Sequence, residues 1–140
     1  MPVHLVFCSC PDPDTAQRLA TGLVQERLAA CVSVLPAMRS VYRWQGAVEQ
    51  AQEVLLLAKT AADRVPALIE RLQALHPYEL PEIVAVQAAA SLPAYLDWVG
   101  LQAVALQRVG WMALVLLGAA LVYFGALWAA GLKLRQMLRR

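Results

Sequence analysis

Residues 40–60 read SVYRWQGAVEQAQEVLLLAKT, and the fold turns on how this stretch is read. Val41-Tyr42-Arg43-Trp44 is β-branched and aromatic, Gly46 marks a turn, and Glu53 to Lys59 encloses Val54-Leu55-Leu56-Leu57-Ala58, an apolar core typical of a buried strand. The stretch is therefore a hairpin. Upstream, Cys31-Val32-Ser33-Val34 starts the first of its strands, and Pro36 interrupts it. Earlier still, Ala16, Leu19, Ala20, Leu23, Val24 and Leu28 recur at helical spacing behind Asp12-Pro13, which reads as an N-cap and first helical residue. His4-Leu5-Val6-Phe7-Cys8 before them is a short run of strand formers. Downstream, Val65, Leu68, Ile69, Leu72 and Leu75 mark a second helix face, Pro77 and Pro81 frame a turn, and Ile83-Val84-Ala85-Val86 is a last strand. Leu92 to Val99 closes the series as a short helix.

The order β-α-β-β-α-β is the split-βαβ, ferredoxin-like pattern of the α+β class, an antiparallel sheet with both helices on one face. About a hundred residues leave little to cover the other face beyond the closing helix and another subunit, so the fold itself predicts an oligomer.

Charge divides the chain at about residue 100. Residues 1–100 hold seven Lys/Arg and ten Asp/Glu, whereas residues 101–140 hold five basic residues and no acidic one. A mildly acidic domain argues against a nucleic-acid partner, which needs clustered basic charge. Residues 109–132 contain no charged side chain. As a helix they reach about 36 Å, enough to cross a hydrocarbon core of about 30 Å. Trp111 and Trp128 stand near the ends, as interfacial residues do, and Lys133, Arg135, Arg139 and Arg140 follow. The expected organisation is a domain over 1–100 and a C-terminal helix over 101–140 with a transmembrane span at 109–132. An apolar helix buried in an oligomer is the competing reading. The first ten residues, MPVHLVFCSC, have neither the positive nor the apolar region of a signal peptide. The domain is therefore expected in the cytoplasm, anchored to the inner membrane by the tail or free if the tail does not insert. The basic residues behind the span favour the opposite orientation.

Three cysteines in a cytosolic domain are expected as reduced thiols. Cys8 and Cys10 form a Cys-x-Cys that alternation places on one strand face, where two thiolates suit a soft ion; two small buried hydrophobes are the plainer reading. Cys31 sits in an apolar setting and reads as buried without function. His76 lies in the Pro-framed loop, followed by Tyr78, Glu79 and Glu82, a set that suits Cu(II) or Zn(II). Its spacing fits no closed structural zinc site, so the site is expected to be weak or shared between subunits. A histidine that hydrogen-bonds to hold the turn is the alternative. No nucleophile elbow, P-loop or His-Glu-x-x-His is present, so no catalytic residue is assigned and no enzyme is expected.

Four stretches, LVQERLAACVSVLP, SVYRWQGAVEQAQEVLLLAKT, LHPYELPEIVAV and YLDWV, together resemble the CutA divalent-cation tolerance protein family over about residues 3–99. The resemblance implies a tight trimer, similar in architecture to PII signalling proteins, with each long hairpin reaching around a neighbour. It implies an association with copper and other divalent cations, with Cys8 at the position of a family copper ligand. Leu75-His76 stands where some members carry two successive histidines, and Ser33 where asparagine commonly follows Cys-Val. Tyr42, Trp44, Lys59, Tyr78, Glu82 and Trp98 belong to the matching motifs. They are expected either to line an intersubunit cleft, with Lys59 holding a small anion, or to act as interface anchors. The expected function is a trimeric protein binding divalent or copper ions through Cys8 and His76, with Cys10 and Glu79. The alternatives are a PII-like small-anion sensor signalling to a membrane partner and a non-binding trimerising scaffold.

Overall fold

The computed structural model describes residues 2–103 and 106–129. Its elements run β1 (Val3–Cys10), α1 (Pro13–Gln25), β2 (Cys31–Trp44), β3 (Ala47–Ala61), α2 (Val65–Leu75), β4 (Ile83–Gln87), α3 (Pro93–Gln102) and α4 (Leu106–Ala129). The four strands form one sheet in the order β2-β3-β1-β4, every neighbouring pair antiparallel. This is the ferredoxin-like arrangement expected from the sequence.

Local chemistry explains the boundaries. Asp12 caps α1 by accepting from the Thr15 amide at 2.7 Å, ahead of Pro13 at the first turn. The helix closes with the Leu28 amide on the Leu23 carbonyl at 2.9 Å and the Arg27 amide on the Val24 carbonyl at 3.1 Å. That is a Schellman motif, and Arg27 takes the left-handed φ of 55° that glycine usually supplies. The β2–β3 hairpin turns on Gln45 and Gly46, both at positive φ, as a two-residue loop of primed type requires. Pro36 does not end β2. Pairing resumes from Leu35–Leu55 to Met38–Glu53, so Pro36 and Ala37 together oppose Val54 in a β-bulge, with Ala37 at φ 62°. The proline is accommodated there because the bulge removes its residue from the hydrogen-bond ladder.

The sheet's two faces differ. Val6, Cys8, Val54, Leu56 and Ala58 are buried against Ala16, Leu19, Leu23, Leu68 and Leu72 of α1 and α2. Leu5, Phe7, Leu55 and Leu57 point the other way and are half-buried, while Leu35, Val84 and Val86 are exposed. Helix α3 covers one end of this second face, through Val99, Tyr95 and Leu96 against Val3 and Ala30.

Helix α3 runs through Gly100 and is capped at Ala103, so it does not continue unbroken into the tail. Helix α4 forms a compact unit of its own. Its described side chains, residues 113–126, are apolar and exposed on every side. Among the described residues no helix is long and apolar enough to cross a membrane, so the transmembrane expectation gains nothing from the structure. Residues 130–132 of the expected span and the basic end after them lie outside the described residues.

Candidate metal centre

Strand β1 lies in the middle of the sheet, paired on both sides, and its pleat sends Val6, Cys8 and Cys10 to the helix-covered face. His76 is the residue at which α2 ends, and its backbone turns extended there. Its ring reaches back to the end of β1. The two sulfurs and one imidazole nitrogen lie within 4.8 Å of one another, and all three residues are buried.

The hydrogen bonds of His76 fix its tautomer. The Tyr78 amide donates to Nδ1 at 3.1 Å, so Nδ1 carries no proton. Nε2 therefore bears it and donates to the Ser9 carbonyl at 2.9 Å. Burial holds the His76 pKa below that of an ordinary imidazole, so the ring is neutral near pH 7. The two thiols differ. Cys8 is pushed up, first by its pairing with Cys10 and then by burial, while the same pairing lowers Cys10. Cys8 Sγ also lies 3.9 Å from the Ser9 carbonyl, at the far limit for sulfur, so the Cys10 sulfur is its more important partner. In this pair Cys8 holds its proton and Cys10 gives its proton up first.

These donors fit a soft ion. Metal–sulfur and metal–nitrogen bonds of about 2.0–2.3 Å put donors about 3.5–4 Å apart, so a small contraction closes the site. Three donors leave a coordination position open. Ligation needs a lone pair on one ring nitrogen, so one of the two hydrogen bonds of His76 must be given up.

Glu79 is not part of this cluster. It lines a cleft of about 900 Å³ between the outer part of the hairpin and the 77–82 turn, together with Tyr42, Trp44, Tyr78 and Glu82. Lys59 and Trp98 do not line the cleft. Lys59 donates to Ser33 Oγ and to the Leu57 carbonyl, and Trp98 stacks on Tyr95 with ring centroids 5.6 Å apart. Cys31 Sγ lies 3.5 Å from the Tyr95 hydroxyl, away from the other two thiols. The sequence reading missed Ser9 and Glu53. Glu53 accepts from the Tyr78 hydroxyl at 3.0 Å, and Ser9 Oγ donates to Glu82. Burial and the Glu53 carboxylate push the Tyr78 pKa up to about 12. A carboxylate at the edge of the apolar run 54–58 was the available signal for Glu53; nothing in the sequence marked Ser9.

The profile of the family described as CutA1 divalent ion tolerance protein matches residues 4–102. The Divalent-cation tolerance protein CutA of Thermus thermophilus is 50% identical over 95 residues, 68% of this chain and 92% of that protein. Protein CutA of Mus musculus is 41% identical over 97 residues, and the aligned region spans only 55% of its length. The crystal structure of CutA from Xylella fastidiosa superposes with a TM-score of 0.71 at 53% identity, covering 73% of this chain and 98% of that one. The family match ends at residue 102, and the tail beyond it is an addition to that match. By profile, sequence identity and superposition alike, the chain belongs to the CutA1 divalent ion tolerance family.

Proposed function

We propose that this protein binds a divalent or soft metal ion through Cys8, Cys10 and His76, as a homotrimer, and contributes to metal tolerance without catalysing a reaction. The convergence of two thiols and one neutral imidazole within 4.8 Å in a buried site carries the reading. Copper suits such donors, and thiolates favour its monovalent state. The half-open sheet face, with Leu35, Val84 and Val86 exposed, is the surface a neighbouring subunit would cover. A cation is favoured over a small anion, because the cleft carries Glu49, Glu53, Glu79 and Glu82 against Arg43, while Lys59 is engaged elsewhere. The uncharged run 109–132 supports a membrane anchor for a cytoplasmic domain, on sequence grounds alone.

Native mass spectrometry of the full chain with copper(II), under reducing and non-reducing conditions, tests the centre. The expected result is a trimer taking up copper in multiples of three, with uptake lost in Cys8→Ser, Cys10→Ser and His76→Ala. A metal-free trimer rejects the metal reading, and a monomer rejects the assembly. Alkaline extraction of membranes tests the anchor, which fails if the protein is released.

A further inference from the structure

Cys8 and Cys10 are wholly enclosed, and His76 is 8% exposed. An ion bound for them has to enter through a wall. Ser9, Pro77 and Tyr78 form that wall, and each also lines the 900 Å³ cleft. Both hydrogen bonds of His76 end on it, one at the Ser9 carbonyl and one at the Tyr78 amide. Freeing either ring nitrogen therefore moves a residue of the cleft.

We propose that this carboxylate-lined cleft is the loading chamber of the thiol–imidazole centre: it gathers a hydrated metal cation and passes it inward when the Tyr78 turn swings away from His76. The inference rests on the metal reading of Cys8, Cys10 and His76, and that buried triad is what gives the cleft its ligand. Among the described residues none of the four cleft carboxylates is ion-paired, and Arg43 donates to the Gly46 carbonyl at 3.2 Å. An unneutralised concave surface raises the local concentration of cations. Glu53 links arrival to opening. Its Oε1 holds the Tyr78 hydroxyl, and Tyr78 in turn holds His76 Nδ1 through its amide. A cation that takes the Glu53 carboxylate competes with that hydroxyl, releases Tyr78 and uncovers the imidazole. The ion then exchanges water for sulfur and nitrogen, and the displaced thiol protons pass to solvent.

Stopped-flow mixing of the full-length reduced protein with cadmium(II) tests this, followed by the ultraviolet thiolate-to-metal charge-transfer band. Glu49 and Glu79 are exposed and touch none of the three donors, so the double variant E49Q/E79Q should fold normally. Its association rate constant is expected to fall about three- to tenfold at low salt, with dissociation unchanged, and the difference should close as salt rises. Tyr78→Phe, which removes the tether to Glu53, is expected to load faster than wild type. Loading of both variants at the wild-type rate overturns the chamber and leaves the metal centre standing. An effect of E49Q/E79Q on dissociation alone makes the carboxylates ligands and also overturns it. A wild-type protein that forms no band removes the metal centre, and the chamber with it.

Discussion

At His76, two readings of one residue compete for the same lone pair. The ring is satisfied without metal, donating to Ser9 and accepting from Tyr78, so a bound ion has to outbid a hydrogen bond already made. Protonation breaks the arrangement as well, because a cationic ring has no acceptor to offer the Tyr78 amide. Burial lowers the pKa in the folded chain, so the unfolded chain binds the proton more readily. The stabilisation is complete above the unfolded value near 6.5 and is lost as pH falls through it toward the lowered folded value. Thermal melts between pH 7 and pH 5 should show the melting temperature of the metal-free protein falling. His76→Asn should flatten that slope while lowering stability throughout, and parallel slopes would count against the assignment. The shared face of Cys8 and Cys10 was legible in the sequence, because strand alternation alone sets it. Their grouping with His76 was expected with the help of the family resemblance and not from spacing alone, since it needs the end of α2 to fold over the end of β1. Glu53 joined the cleft for a similar reason: the bulge and the hairpin pairing, not its sequence neighbours, bring it to Tyr78.

Among the elements, the helix starts and apolar faces could be read directly, because capping and periodicity are local. Asp12→Ala should cost about 1 kcal/mol in denaturant unfolding through loss of the bond to the Thr15 amide. The turn chemistry was only half legible. Gly46 announced a turn, but Gln45 gave no sign of its φ of 47°, nor Arg27 of its φ of 55°. Both side chains tolerate a conformation imposed by the surrounding hydrogen bonds. Arg27→Gly relieves the left-handed strain at the Schellman position, partly offset by a more flexible unfolded chain, and should stabilise by about 0.5–1 kcal/mol. A loss of stability in the same unfolding experiment would show that the Arg27 side chain contributes more than its backbone costs. The interruption at Pro36 and the return of the strand by Val41 could be read from the residues, but not that the interruption is a two-residue bulge opposite Val54, which depends on the register with β3.

For the molecule as a whole, the important asymmetry lies between the two faces of one sheet. One face has two helices; the other has α3 over one end and leaves Leu35, Val84 and Val86 open to water beside half-buried Phe7 and Leu57. An apolar face of this kind is a surface for association. If the proposed trimer forms through this face, Leu57→Asp, which places a charge near its middle, should leave the helix-side core intact while shifting sedimentation toward monomer. An unchanged sedimentation profile would move the contact elsewhere. The bulge at Pro36–Ala37 has a separate consequence. It divides the long hairpin into an inner half that shares the core and an outer half, Arg39 to Gln50, supported mainly by its own cross-strand ladder. The two halves need not open together. In amide hydrogen exchange on an unassembled chain, the outer ladder should lose protection at rates set by local fraying, while β1 and the inner part of β3 exchange only with global unfolding. Slow exchange in the outer ladder would then report directly on a neighbour closing over it, making that arm the molecule's own gauge of assembly.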